Sequence, residues 1–149
     1  MDFTLPKEYE ELRLKTREFV DREVLPLEDD RANYEAHENI KLDVLEGVRA
    51  KAKEAGLWAP QVPEDRGGLG LPVMGWAAIY EEANRSIFGP VAMNCAAPDD
   101  GNMNLLAKVG TEAQKDKWLQ SIADGHVRSA FVMTEPAPGS GSDPSMMLT

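Results

Sequence analysis

The sequence changes character at Gly125. Before it, apolar residues recur at helical spacing through most of the chain. After it comes a short apolar run, Arg128 to Met133, and then Thr134-Glu135-Pro136-Ala137-Pro138-Gly139-Ser140-Gly141-Ser142-Asp143-Pro144. The run has strand character, and the proline and glycine density beyond it forbids a helix. One strand cannot make a sheet, because its backbone donors and acceptors need a neighbouring strand. The sequence therefore predicts a mostly α chain, with a helical-bundle domain over 1–127 and the start of a truncated β-domain over 128–149.

Five helices are expected. Tyr9, Leu12, Thr16, Phe19, Val20 and Val24 form one stripe from Pro6 to about Leu27, with Pro26 expected to kink or end it. The acidic stretch Glu28 to Asn39 reads as an exposed turn or frayed end. A second helix, from about Ile40 to Ala55, buries Val44 or Leu45, Val48, Ala52 and Ala55, and Gly56 suits a left-handed stop. A proline- and glycine-rich loop follows. The third helix, Val73 to Arg85, places Val73, Trp76, Ala77 and Tyr80 inward, and the fourth, Asp99 to Val109, uses Met103, Leu106 and Val109. Thr111-Glu112-Ala113-Gln114 has the form of a capping box. It opens a fifth helix through Trp118, Leu119 and Ile122. Trp58, Trp76 and Trp118 are expected in the core.

Charge and composition exclude several functions. Lys plus Arg number 16 and Asp plus Glu 26 among 149 residues, a net charge of −10. A nucleic-acid partner is not expected, since phosphate neutralisation needs a basic face. No window approaches the roughly 20 apolar residues of a membrane span. The N-terminus has no apolar signal-peptide region, so a cytoplasmic, reducing compartment is expected. Two histidines far apart and one cysteine, Cys95, give no metal-ligand spacing. Cys95 reads as a buried apolar residue. The adjacent carboxylates Glu64-Asp65 and Glu81-Glu82 read as surface charge. In the final loop, consecutive Gly and Ser residues can converge backbone N–H groups on an anion. Thr134 can offer its hydroxyl and N–H to a polar ring edge, and Glu135 reads as a residue that fixes the loop. From the residues alone, the flexible-linker reading of that loop stands equally open.

Three segments, in order and spacing, resemble the acyl-CoA dehydrogenase family: GLWAPQVPEDRGGLGLP after the second helix, GTEAQKDKWLQSIADG at the fifth, and RSAFVMTEPAPGSGSD at the flavin-contacting strand. The resemblance covers essentially the whole chain. TEPAPGSGSD carries two more residues than the commonest family pattern, and looks like the variant of a subgroup linked to longer or unusual acyl-CoA substrates.

The resemblance implies the N-terminal helical domain of a three-part enzyme, completed by a middle β-domain and a C-terminal four-helix domain, in dimers or tetramers. Such enzymes bind FAD and oxidise an acyl-CoA to the 2,3-enoyl-CoA by α-proton abstraction and β-hydride transfer, passing electrons to an electron-transferring flavoprotein. By motif position, Phe131, Met133, Thr134, Gly141 and Ser142 are expected at the cofactor. Ser142, Met93 and Asn94 are expected at the acyl-CoA. The family's catalytic Glu lies well beyond the first strand, so no catalytic residue is assigned here. The lone chain is expected to lack activity and to bind FAD weakly or not at all. Two alternatives are a free-standing helical module that pairs with a chain supplying the β and C-terminal domains, and an oxygen-using acyl-CoA oxidase relative.

Overall fold

The computed structural model describes residues 4–36, 39–132, 134–135 and 145. Met133, Gly141 and Ser142 lie outside the described residues. Among the described residues, eight α-helical segments follow in order: α1 Lys7–Phe19, α2 Leu25–Asp29, α3 Leu42–Glu54, α4 Val73–Ala83, α5 Gly89–Ala92, α6 Asp99–Val109, α7 Glu112–Gln114 and α8 Gln120–Ala123. Two wide π-helical turns, Val20–Val24 and Lys115–Leu119, fuse α1 to α2 and α7 to α8.

The first fusion resolves the conflict posed by Pro26. A helical proline lacks an N–H, and its ring crowds the carbonyl four residues back. In the widened turn the Leu25 N–H bonds to Val20 O, five residues back, and Pro26 then falls in the first turn of α2. The helix continues past proline instead of ending. The stretch after it is also more ordered than its charge predicts. Asp30 caps a short 3-10 turn. Tyr34 donates to Glu28 O and lies 4.9 Å from the Phe88 ring.

α3 ends as expected. Gly56 adopts φ +62°. Its N–H bonds to Lys53 O, and the Leu57 N–H bonds to Ala52 O, the paired closure of a Schellman stop. The chain then dives into the core instead of returning to the surface: Leu57, Trp58, Ala59, Pro60, Gln61 and Val62 are all buried. A buried loop must satisfy its own backbone. Here Ala59 N bonds to Met93 O, Gly70 N to Val62 O and Leu71 N to Pro60 O. Gly68 makes this coil possible, because a Cβ there would sit 2.2 Å from Val62 O. Trp58 donates to Ala123 O at 2.8 Å, and the Lys53 ammonium sits 4.3 Å from its ring.

α1 lies along α4. The fully buried face of α4 is Gly75, Ala78, Ile79, Glu82 and Ala83; of the expected Val73, Trp76, Ala77 and Tyr80, Tyr80 packs partly against the core, Trp76 is half-buried, and Val73 and Ala77 are exposed. Val73 is 68% exposed. The small residues win that face because α1 approaches closely: the Tyr9 ring lies 3.1 Å from where a Gly75 Cβ would stand. The expectation that Glu82 is surface charge is also overturned. Its side chain is 1% exposed and accepts from Arg13 Nη1 at 2.6 Å and Arg17 Nη2 at 2.8 Å. Burial pushes its pKa up, but the hydrogen bonds of Arg17 and Arg13 more than reverse that and hold it below the ordinary carboxyl range.

The second half packs α6 against the Lys115–Leu119 turn and α8. Thr111 and Gln114 form the expected reciprocal cap. Met103 and Leu119 are fully buried, each contributing roughly 1.5–3 kcal/mol by burial. Trp118 is 51% and Val109 73% exposed, contrary to expectation. The Lys115–Leu119 π-turn shifts the helical phase, so Leu119 and Ile122 face inward while Trp118 turns out. Arg128 to Val132 form neither helix nor strand. The expected ladder has no partner among the described residues, and the Ser129 N–H bonds to a side chain instead.

Candidate functional site

The site grows from the start of α6. The chain enters through a cis Ala97–Pro98 peptide and turns at Asp99, whose side chain is 3% exposed. Asp99 Oδ1 accepts the Ser129 N–H at 2.6 Å and the Ser129 hydroxyl at 2.7 Å. Asp99 Oδ2 accepts from Arg128 Nε. Asn102, one helical turn on, donates through Nδ2 to the Ser129 hydroxyl oxygen at 2.8 Å. Four hydrogen bonds thus tie residues 128 and 129 to the first turn of α6. A charge-assisted cluster of this kind fixes direction as well as position. It decides where the next residues go.

They go over an open cleft of about 660 Å³ lined by Ala97, Pro98, Asp100, Gly101, Asn102, Leu105 and Phe131. Of its lining residues Phe131 is 69% and Leu105 60% exposed, and Val132, next to Phe131 in the chain, is 75% exposed. Exposed apolar side chains gathered at one cleft mark a surface that something covers. A Cβ built at Gly101, which lines the cleft, would meet no atom within 4 Å. Asp100 accepts the Gly101 N–H through Oδ1 at 2.7 Å.

The expected site residues separate into two places. Phe131 lies at the cleft, and Thr134 follows it, exposed, with Glu135 half-buried. Met93 and Asn94 lie in the core. Met93 is fully buried and its carbonyl accepts the Ala59 N–H. Asn94 takes φ +54° and donates through Nδ2 to Ile122 O and Ala123 O, while its own carbonyl accepts from Gln61 Nε2. Cys95 beside them is buried, and burial together with the Asp100 charge pushes its thiol up to about 12. The Tyr80 hydroxyl is buried and is likewise raised, chiefly by burial, with the nearby Cys95 and Asp100 adding to it.

Sequence reasoning missed Asp99, Asn102 and Ser129. Their partnership spans about thirty residues and has no local signature. The one available signal was an acidic pair opening a helix, where a carboxylate suits the positive end of the dipole. Among the described residues, no three His, Cys, Asp or Glu side chains gather as metal ligands, and no helix is long and apolar enough to cross a membrane.

Residues 6–126 match the family model described as Acyl-CoA dehydrogenase, N-terminal domain. The chain belongs to the acyl-CoA dehydrogenase family. It is 37% identical over 146 residues to "Acyl-CoA dehydrogenase family member 11" of Gallus gallus, covering 94% of this chain and 18% of that protein. It is 35% identical over 145 residues to "Probable acyl-CoA dehydrogenase FadE2" of Mycobacterium tuberculosis, covering 94% of this chain and 35% of that one. A solved structure titled as a "putative acyl-CoA dehydrogenase" from Mycobacterium abscessus superposes with a TM-score of 0.78 at 36% identity, covering 96% of this chain and 38% of the other. The chain therefore spans little more than a third, at most, of these relatives' lengths.

Proposed function

We propose that this chain forms the helical wall of an FAD-dependent acyl-CoA dehydrogenase that oxidises an acyl-CoA to its 2,3-enoyl-CoA. The supporting observation is the apolar cleft between α6 and Phe131, whose rim is held in place by the Asp99–Ser129 bonds. A flat ring system fits such a rim, because the exposed Phe131 and Val132 offer apolar surface beside the polar Thr134. Phe131 and Thr134 would hold the cofactor, with Met133, Gly141 and Ser142 assigned by motif position alone. When bound, FAD supplies the two-electron acceptor. Leu105, Ala97 and Pro98 would exclude water from the acyl chain. Met93 and Asn94 would shape the acyl pocket from behind, through the backbone they fix, instead of touching the chain. No described residue is proposed as the α-proton base.

The exposed apolar cleft also supports a dependence on the remaining domains, in a homo-oligomer that hands electrons to an electron-transferring flavoprotein. The isolated chain is accordingly inactive and releases FAD. The test compares this chain alone with the chain co-expressed with the region that follows the matched segment in the FadE2 relative. Visible flavin absorbance should pass through gel filtration with the pair, bleach on adding acyl-CoA, and be lost from the lone chain. A colourless but well-folded pair overturns the reading.

A further inference from the structure

A second cavity, of about 490 Å³, lies where the start of α3, the segment 87–91 and residues 125–128 meet. It shares no lining residue with the Phe131 cleft. Ile40, Leu45 and Phe88 give it a buried apolar wall, while Leu42, Ile87 and Val127 stand exposed at its mouth.

Arg49 enters this wall from α3 and is only 9% exposed. Its Nε donates to Val91 O at 3.2 Å and its Nη1 to Gly125 O at 3.1 Å. A guanidinium carries five N–H groups, so three have no protein acceptor among the described residues. The cation also lacks a carboxylate within ion-pair distance there. The carboxylates whose charge it feels are Asp99 and Glu46; neither forms an ion pair with it, and Asp99 is bonded to Arg128 instead. Buried charges are normally paired. Here the cation, whose guanidinium carbon also lies 5.7 Å from the Trp58 ring centroid, sits without a carboxylate in the wall of a cavity of mixed polar and apolar lining that is large enough for a small molecule. Among the described residues, the other charged or titratable groups lining the cavity are Arg128, neutralised by Asp99, His126, and Glu35. Glu35 is exposed and accepts from Asn39 Nδ2, so solvent screens its opposing charge.

We propose that this cavity is a binding site for a single oxyanion carried on an aliphatic stem. The anion sits on the uncommitted edge of Arg49, which presents paired N–H groups suited to two oxygens, and the stem lies along Ile40, Leu45 and Phe88. The site is independent of the Phe131 cleft and of any flavin.

Octanoate is the probe, with 1-octanol as its neutral twin, read by NMR shifts of the Arg49 Nε–H and the Ile87 and Val127 methyl groups. Octanoate should saturate these signals and bind about tenfold or more tightly than 1-octanol. Ile87→Asp, an exposed change at the mouth that leaves the core untouched, should weaken octanoate by about tenfold through charge repulsion. Arg49→Gln should abolish the preference for octanoate over 1-octanol. If that variant fails to fold, the Ile87→Asp result decides. Equal binding of octanoate and 1-octanol, no saturable shift, or shifts confined to Leu105 and Phe131 would each overturn the proposal.

Discussion

The two halves of the molecule treat their polar and apolar groups in opposite ways. Between α1, α4 and the loop 57–71, a carboxylate is buried and fully partnered, and an irregular loop satisfies its own backbone deep in the core. Along α6 and 128–132, the polar groups are equally well tied, by Asp99 and Asn102, yet Leu105, Val109, Phe131 and Val132 stand in solvent. The first half is sealed along that seam, although Val73 at the start of α4 is 68% exposed. The second is anchored but uncovered, and its order serves to present a surface. Precise hydrogen bonding at a surface with no core of its own is what a docking face requires.

The largest effect should come from breaking the sealed half. Glu82→Ala leaves Arg13 and Arg17 facing each other without their shared acceptor and opens space between α1 and α4. A loss of about 3 kcal/mol is expected, reduced from the fully buried case because Arg17 is half exposed, measured by urea unfolding. The pH dependence has a definite sign. The folded pKa of Glu82 lies below the ordinary 4.5, so its contribution is complete above that value and lost as pH falls through the depressed folded value. The stability gap between the chain and Glu82→Gln should therefore be full at neutral pH and close progressively below about pH 4.5. Gly68→Ala should follow at about 2 kcal/mol, since its Cβ would meet Val62 O and Ala59 O at 2.2 and 2.6 Å. Either variant melting like the parent would show that this half is not sealed as described.

The sequence made the local features legible and left the distant ones hidden. Gly56, the Thr111–Gln114 cap and the stripe of α3 are written in neighbouring residues, and they fold as written. Pro26 was legible as a breaker, but the widened turn that absorbs it depends on five residues upstream and on packing. The face of α4 was misread because Val73, Trp76, Ala77 and Tyr80 are the more hydrophobic set, whereas the close approach of α1 selects small residues and Glu82. Burial of Glu82 is set by arginines more than sixty positions away, and no periodicity reports that. At the candidate site, Phe131 and Thr134 were visible through their motif. The carboxylate that holds their approach, Asp99, was not.

Asp99 tests the anchored half at intermediate magnitude. Asp99→Asn keeps the shape but removes the charge that holds Arg128, and it turns an acceptor into a donor. A global loss of about 1–2 kcal/mol is expected, with a larger local effect: the Ser129 amide should exchange with solvent far faster, while the Leu57 and Met93 amides exchange as before. Uniform acceleration at all three positions would mean that the two halves open together and are one cooperative unit.

The smallest effect is the sharpest test of the comparison. Val132→Ser and Leu105→Ser remove apolar groups that are 75% and 60% exposed. With little burial to lose, each should change the stability of the chain by less than about 0.5 kcal/mol. The same substitutions should weaken assembly with the co-expressed remainder, because that is where the apolar contact would be realised. A buried apolar residue contributes to the fold it sits in, whereas an exposed one in a rigidly held cleft can contribute only to what comes to cover it. If both serine variants lower the melting temperature of the lone chain as Glu82→Ala does, then Leu105 and Val132 already belong to this domain's own core, and the uncovered face is not a docking face.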